Sequence, residues 1–369
     1  MVTLPNCIEY RGLDEEMTTM PTLDAPERMI DLDLVRCTEN AALSGWKWFG
    51  KGDKNKADFA AADAIRGMFQ EIDCRGIVRI GEGRKDEAPG IFEGEKLGTW
   101  KEGSIPIAIA LDPIDGTTLT AKGLPGAISV MAVATTDDPT EDPSNLLSAI
   151  PSYYMEKIAV GQMVANSTMS VRFGNSIEEN LDIIANALDK RVRDLVAVVL
   201  DRPRHQHIID ELRTAGCGIR LISDGDVAAA IAPCLPNSGV DLYLGIGGSP
   251  EAVLAAAGIK CLGGEHLCRM WPRDDEERTY LTDECHLSDK DINRVYTADD
   301  LVKGDHIIFV ATGISDSPML KGITYRNQHA VTESILMRAR YSTVRIIQAW
   351  HNLDRKVITL ASIGGKARL

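Results

Sequence analysis

A chain of 369 residues with 44% hydrophobic and 25% charged side chains has the balance of a globular protein and the length for two folded units. Its 40 lysines and arginines against 54 acids give a net charge of −14, so the molecule repels nucleic acid and anionic membrane, and an anionic ligand needs a locally inverted field. No apolar run approaches the roughly 18 residues of a membrane span, and residues 1–28 hold too many acids for a secretion or organelle signal; a soluble protein with neither nucleic acid nor membrane as partner is expected.

Residues 1–30 carry Pro5, Gly12, Pro21 and Pro26 without periodicity, which predicts a loosely attached arm. From 32 to 49, Leu34, Val35, Ala41, Ala42, Trp46 and Phe49 fall near helical spacing, and Gly50 ends the pattern. A basic loop with Lys51, Lys54 and Lys56 leads to an alanine-rich helix predicted over 58–72, which puts Asp58 at a loop-to-helix junction. Apolar strands at 77–80 and 105–111 each run into a polar turn with glycine, and 127–134 reads as another strand. In the second half, strands at 195–200, 218–222 and 240–244 alternate with helices at 207–215, 227–232 and 251–257. Residues 264–300 are acidic, with Asp274, Asp275, Glu276 and Glu277 adjacent, and read as a solvated helical surface. Strand-like runs return at 307–311 and 343–349, free to rejoin either sheet. The fold class expected is α/β, with an α+β N-terminal half and an α/β C-terminal half. Eight cysteines (Cys7, Cys37, Cys74, Cys217, Cys234, Cys261, Cys268 and Cys285) show no CxxC pair or metal-ligand spacing and read as reduced thiols.

The most specific chemical signal is Asp112-Pro113-Ile114-Asp115-Gly116-Thr117-Thr118, directly after a predicted strand. Pro113 stiffens the backbone so that two carboxylates converge, and Gly116 lets the following main-chain N–H groups approach an anion. Paired acids that close repel each other unless a hard cation such as Mg²⁺ or Mn²⁺ removes the conflict. Glu82, between Gly81 and Gly83, projects from another strand-end turn; Asp58 and Glu251 open helices, where each taken alone reads as a cap. Arg202 and Arg204 flank Pro203 at a strand end, where guanidinium forks suit a phosphate, with His205 beside them. Asp224 and Asp226 suit sugar hydroxyls, and Tyr154 suits the face of a sugar ring.

These blocks stand in order along the chain: Lys51-Gly52-Asp53-Lys54-Asn55-Lys56-Ala57-Asp58, Gly81-Glu82-Gly83, Asp112 to Thr117, Asp201-Arg202-Pro203-Arg204-His205, Ser223-Asp224-Gly225-Asp226 and Gly245-Ile246-Gly247-Gly248-Ser249-Pro250-Glu251. Together they resemble the class II (GlpX-type) fructose-1,6-bisphosphatases, a group that includes the cyanobacterial-type dual fructose-1,6-/sedoheptulose-1,7-bisphosphatases. The resemblance implies a layered fold similar to the lithium-sensitive inositol and fructose phosphatases. The expected organisation is an arm over 1–30, a metal-binding phosphatase domain over 31–180 and a substrate-binding domain over 181–369 whose C-terminal strands are free to rejoin the first. The implied reaction is hydrolysis of the 1-phosphate of a ketose bisphosphate. Carried over by motif, Asp58, Glu82, Asp112, Asp115 and Glu251 match the metal ligands, for Mg²⁺ or Mn²⁺, and Thr117 matches the catalytic hydroxyl, oriented by Asp58 or Glu82. The matching substrate positions are Asp115, Gly116, Thr117, Tyr154, Arg204, His205, Asp224, Gly225, Asp226 and Gly248, with Arg202 as a further phosphate contact.

Two spellings depart from the family: Arg84 stands where an acid is common, and Asp115 where glutamate is common. An inositol-monophosphatase-like enzyme and a non-catalytic sugar-phosphate sensor remain as alternative readings. A homo-oligomer, dimer or tetramer, is expected in the cytoplasm, or in the plastid stroma after removal of a leader.

Overall fold

The computed structural model describes residues 30–82, 90–138 and 140–368. The expected arm (Ile30 apart), Gly83 and Arg84 therefore lie outside the described residues. Two helices open the structure, α1 (Asp31–Trp46) and α2 (Lys54–Phe69). Their buried alanines, Ala41 and Ala42 on one and Ala57, Ala61 and Ala62 on the other, allow close packing of the two helices over one face of a sheet. There follow β1 (Cys74–Ile80), β2 (Lys96–Leu97), β3 (Ile105–Asp115), α3 (Thr117–Lys122) and β4 (Ile128–Ala134). The middle of the chain supplies β5 (Tyr154–Val160), α4 (Gln162–Ala165), α5 (Ile177–Ala187), β6 (Val196–Leu200), α6 (Gln206–Thr214), β7 (Gly218–Ile222), α7 (Asp226–Ile231), β8 (Leu242–Gly248), α8 (Ser249–Cys261), β9 (Glu265–Met270) and β10 (Val295–Tyr296). The last strands are β11 (Ile307–Gly313), β12 (Thr324–Arg326), β13 (His329–Arg338), β14 (Thr343–Asn352), β15 (Val357–Leu360) and β16 (Gly365–Arg368).

An eight-stranded sheet runs β12-β13-β11-β4-β3-β1-β2, with β14 along the other side of β13; a six-stranded sheet runs β10-β9-β5-β8-β6-β7. The two sheets sandwich α7 and α8. One core cluster joins Ala108, Val130, Phe309 and Ile335 of the first sheet to Val227, Ile231, Leu254 and Ile259 of these helices and to Met155 and Tyr243 of the second sheet. A helix apolar all round belongs in such an interior, and α8 is buried at ten of its 13 positions. The outer face of the six-stranded sheet is covered by α5 and α6 through Leu181, Ile184, Ile209 and Leu212. The order of layers is thus helix, sheet, helix, sheet, helix, a mixed α/β architecture.

Several predicted elements shift. The second helix begins at Lys54, where Asp53 caps it by accepting the Lys56 N–H at 3.0 Å, so Asp58 lies one turn inside rather than at the junction. The strand expected to stop at Leu111 continues to Asp115, with a bulge against β4 between Asp112 and Asp115, and the glycines after Leu244 are strand rather than turn. The 307–313 and 343–352 strands rejoin the first sheet, whereas Tyr154, expected in the N-terminal unit, opens the second. The acidic stretch does form an exposed helix, Asp275–Asp283, but also the buried strand β9. The described cysteines carry free thiols. Among the described residues no helix is long and apolar enough to cross a membrane.

Candidate active site

The site forms where β1, β3 and β8 end and α3, α7 and α8 begin. The bulge in β3 lets the strand carry two carboxylates around a corner: Asp112 folds back so that its Oδ1 accepts the Ile114 N–H at 2.9 Å, while Asp115 reaches the first turn of α7 and accepts the Val227 N–H at 3.2 Å. Gly116 makes the turn from β3 into α3 with φ +95°, a left-handed conformation that a side chain would strain. Thr117 then opens α3, its hydroxyl donating to the Ile114 carbonyl at 3.1 Å and lying close enough to Asp58 for a hydrogen bond to offset part of that acid's burial.

A cavity of about 290 Å³ is lined by Glu82, Asp112, Asp115, Gly116, Thr117, Asp224 and Glu251. Its acids are held away from water and close to one another. Burial, countered in part by Thr117 and Lys54, lifts the Asp58 carboxyl to about 6. Burial and then the charges of Asp58 and Glu251 raise Glu82. Asp112 rises well above the carboxylate range through burial and the charges of Glu82 and Asp115; Asp115 does so through burial and the charge of Asp226. Glu251, in the first turn of α8, is raised by burial and by Asp226. Asp58 Oδ1 and Glu251 Oε2 are buried without a hydrogen-bond partner among the described residues. Such atoms are rare unless something outside the chain completes them. Among the described residues no three acidic, histidine or cysteine side chains are already closed around one point. The donor set nonetheless fits a hard divalent cation, because it is all oxygen, buried, mutually repelling and partly unpartnered.

A second cavity, of about 220 Å³, shares Asp115, Asp224 and Glu251 with the first and adds Tyr154, Arg202, Arg204, Gly225, Asp226, Gly247 and Gly248. Arg204 stacks over the Tyr154 ring at 5.0 Å and donates to the Ile246 carbonyl at 2.8 Å, so it is oriented before any ligand arrives. Arg202 lines the same cavity, so two guanidinium groups stand there beside the carboxylates of Asp115, Asp224, Asp226 and Glu251.

Two residues assigned to substrate are committed elsewhere. His205 is fully buried: Nδ1 lies 2.7 Å from the Leu200 carbonyl and Nε2 accepts the Ile246 N–H at 2.7 Å, which leaves neither ring nitrogen for a ligand and fixes the Nδ1–H tautomer. Burial holds its pKa at about 4. Asp226 Oδ2 accepts from Lys157 Nζ at 2.7 Å and from the Tyr243 hydroxyl at 3.3 Å. The pair is 1% and 6% exposed. Gly247 is glycine because a Cβ there would overlap the Asp226 carboxylate. Asp224 remains at the cavities and accepts the Thr118 N–H at 3.3 Å.

Sequence reasoning passed over Lys157, Tyr243 and Lys54. The last donates to Thr118 Oγ1 at 2.7 Å and places an ammonium beside the turn that carries Thr117. A lysine next to the apolar run Ile158-Ala159-Val160 was the available signal for Lys157; Lys54 was hidden among exposed basic neighbours.

Comparison with known proteins adds a family and relatives. The sequence profile described as "Bacterial fructose-1,6-bisphosphatase, glpX-encoded" matches residues 28–351. The chain is 40% identical over 336 residues to a protein of Haemophilus influenzae named "Fructose-1,6-bisphosphatase class 2", covering 89% of this chain and 97% of that one. It is 39% identical over 338 residues to "Fructose-1,6-bisphosphatase 1 class 2" of Escherichia coli strain K12, with the same coverage.

Proposed function

The chain belongs to the glpX-encoded bacterial fructose-1,6-bisphosphatases, a family of phosphoric monoester hydrolases, and on that premise we propose that it hydrolyses the 1-phosphate of fructose 1,6-bisphosphate with a divalent cation, and accepts sedoheptulose 1,7-bisphosphate as well. The observation that carries this reading is the adjacency of two cavities with a common wall, one whose charged lining is all acidic and one that adds Arg202 and Arg204. A bisphosphate has two anionic ends that need different treatment, one to react and one to be held. An inositol monophosphate offers nothing for the second cavity.

Asp58, Glu82, Asp112, Asp115 and Glu251 would hold Mg²⁺ or Mn²⁺, which when bound neutralises phosphoryl oxygens, acidifies a water and stabilises the leaving oxygen. The chain's own groups do the rest. The Gly116 and Thr117 main-chain N–H groups point an anion-binding turn at the reacting phosphate. The Thr117 hydroxyl, beside Asp58, orients the attacking water and passes a proton toward that carboxylate. Lys54 sets a positive charge next to Thr118, on the side where phosphoryl charge accumulates. Arg204, preset by Tyr154 and Ile246, and Arg202 clamp the distal phosphate, which holds the ester in register and excludes rotation. The seven-carbon substrate presents the same two phosphates with one further carbinol between them, and its acceptance rests on the reach of the flexible Arg202 side chain.

The test is phosphate release from fructose 1,6-bisphosphate, sedoheptulose 1,7-bisphosphate and inositol 1-phosphate, each with Mg²⁺, Mn²⁺ or EDTA. Turnover of both ketose bisphosphates, abolished by EDTA, is expected. Undiminished turnover in EDTA would remove the cation from the reading, and a preference for inositol phosphate would remove the bisphosphate.

A further inference from the structure

On the reading that Arg204 clamps the distal phosphate, we propose that Trp271 is its positioning residue, fixing the Tyr154 ring and, through that ring, the guanidinium in the pose that receives the anion. Trp271 N donates to the Tyr154 carbonyl at 2.9 Å and carries the β5–β9 ladder one step past Met155↔Met270. Pro272, which follows, disfavours a helical backbone at Trp271 and so keeps the alternation of the strand for one more residue. The indole therefore leaves the sheet on the same face as Tyr154. The two rings pack nearly perpendicular, at 80°, with centroids 6.4 Å apart.

This is the face on which, further along the strands, Ile158, Leu244 and Leu267 meet α5 and α6. Toward the strand ends it turns from core into site: the register sets Tyr154 opposite Gly248 of β8, and Glu156 between Ile246 of β8 and Arg269 of β9. Gly248 has no side chain to lean a ring on, so the cross-strand support of Tyr154 comes from the β9 side, where Trp271 stands. Trp271 is half-buried, yet it packs against none of the three apolar core clusters, and among the described residues its ring partner is Tyr154. Its place in the fold is thus at the clamp and not in the core.

Orientation by rings leaves Arg204 its charge. Other arginines of this half are answered by acids, Arg269 by Glu156 and Arg273 by Asp274. Among the described residues Arg204 forms no ion pair; it lies 5.0 Å over the Tyr154 ring and donates Nε and Nη2 to the Ile246 carbonyl at 3.2 and 2.8 Å. A guanidinium has five N–H groups, so three are left for phosphate oxygens. A carboxylate in place of the ring would compete with the ligand and cancel part of the field, whereas a ring orients the same plane and stays neutral. Arg269 helps in a second way, because it draws Glu156, two residues from Tyr154 and on the same face, to the β9 side. A clamp set before the ligand arrives loses less affinity to ordering.

The test is steady-state phosphate release at saturating Mn²⁺ from fructose 1,6-bisphosphate and from fructose 1-phosphate, which lacks the distal phosphate. The proteins compared are the parent, Trp271→Leu, Trp271→Phe, Arg204→Met and the double variant Trp271→Leu/Arg204→Met. Leucine keeps apolar bulk without a ring, and phenylalanine keeps a ring. Expected for Trp271→Leu are a KM for the bisphosphate raised about tenfold, a kcat within about twofold of the parent's and unchanged kinetics on fructose 1-phosphate. Trp271→Phe should recover most of the loss. In the Arg204→Met background the leucine change should add less than about twofold, because the indole then has no guanidinium to place. Equal losses of kcat/KM on both esters would make Trp271 a general support of the fold, and an undiminished effect in the Arg204→Met background would mean that it does not act through Arg204. Either result overturns the proposal, as does a bisphosphate KM left unchanged by Trp271→Leu while Arg204→Met raises it. A parental KM in Arg204→Met would instead overturn the clamp itself, and the role of Trp271 with it.

Discussion

The two cavities that meet at Asp115, Asp224 and Glu251 bury charge in opposite ways. Around the first, five carboxylates sit together with their pKa values raised, and Asp58 Oδ1 and Glu251 Oε2 lack a partner among the described residues. Around the second, the chain answers its own charges: Lys157 and Tyr243 hold Asp226, the Ile246 carbonyl and Tyr154 hold Arg204, and two main-chain groups hold His205. An unpaired buried charge costs several kcal/mol, so a stable protein leaves one only where a ligand repays the cost. The difference separates a region finished by folding from one finished by binding.

The sharpest way to break that contrast is Asp115→Asn. If the acids await a cation and ester, kcat/KM falls about 10⁴-fold, or roughly 5.4 kcal/mol of transition-state stabilisation, even at saturating Mn²⁺. The same change removes one of several repelling charges, so in EDTA the variant melts a few degrees above the parent. A loss below tenfold in steady-state phosphate release would take Asp115 out of the chemistry.

Lys157→Met is the counterpart in the finished region. Deleting one member of a buried pair leaves Asp226 uncompensated, and about 3–5 kcal/mol of unfolding free energy should go with it. Guanidinium denaturation measures this directly. A stability unchanged within about 0.5 kcal/mol would mean that the pair is not a fixture of the fold.

Thr117→Ala comes next in size. Its hydroxyl makes one hydrogen bond to the Ile114 carbonyl, so stability changes by about 1 kcal/mol, while loss of proton handling lowers kcat about 10²-fold. Near-parental kcat in that variant would leave Thr117 as a capping residue of α3.

The sequence made the acidic region far more legible than its neighbour, for a physical reason. Asp112, Pro113, Asp115 and Gly116 fall within five consecutive residues, and their chemistry depends on local backbone geometry. Even there the motif was expected in a turn after the strand, because proline and glycine usually end strands; the bulge against β4 keeps both acids within β3. Gly245 and Gly247 misled in the same way. Both stay in β8, and at Gly247 side chains from elsewhere, Asp226 with Lys157, fill the space that a Cβ would take. His205 was assigned to the substrate because it ends the Asp201-Arg202-Pro203-Arg204-His205 block beside the two arginines, and only the structure shows Ile246 occupying its second nitrogen. The Lys157–Asp226 contact spans 69 positions, and no local pattern encodes it.

The smallest predicted effect separates the regions by the sign of their response to acid. His205 and His266, both in the six-stranded-sheet half, are held neutral by burial, with pKa values of about 4 and about 3 against 6.5 unfolded. Between those limits the unfolded chain binds protons that the folded one does not, so stability rises with pH. Their contribution is whole above about pH 6.5 and is lost as pH falls through 6 toward 4. The raised carboxylates act the other way, since there the folded state holds the extra protons. His266→Phe keeps a buried ring without a titrating nitrogen, and subtracting its urea-unfolding free energies from those of the parent at each pH cancels the contribution of the acids and of every other histidine. The parent should lose about 1–3 kcal/mol more than the variant between pH 7.5 and 5. Parallel curves would mean that His266 does not stay neutral in the folded protein, and the claim that this half satisfies its own charges would lose one of its supports.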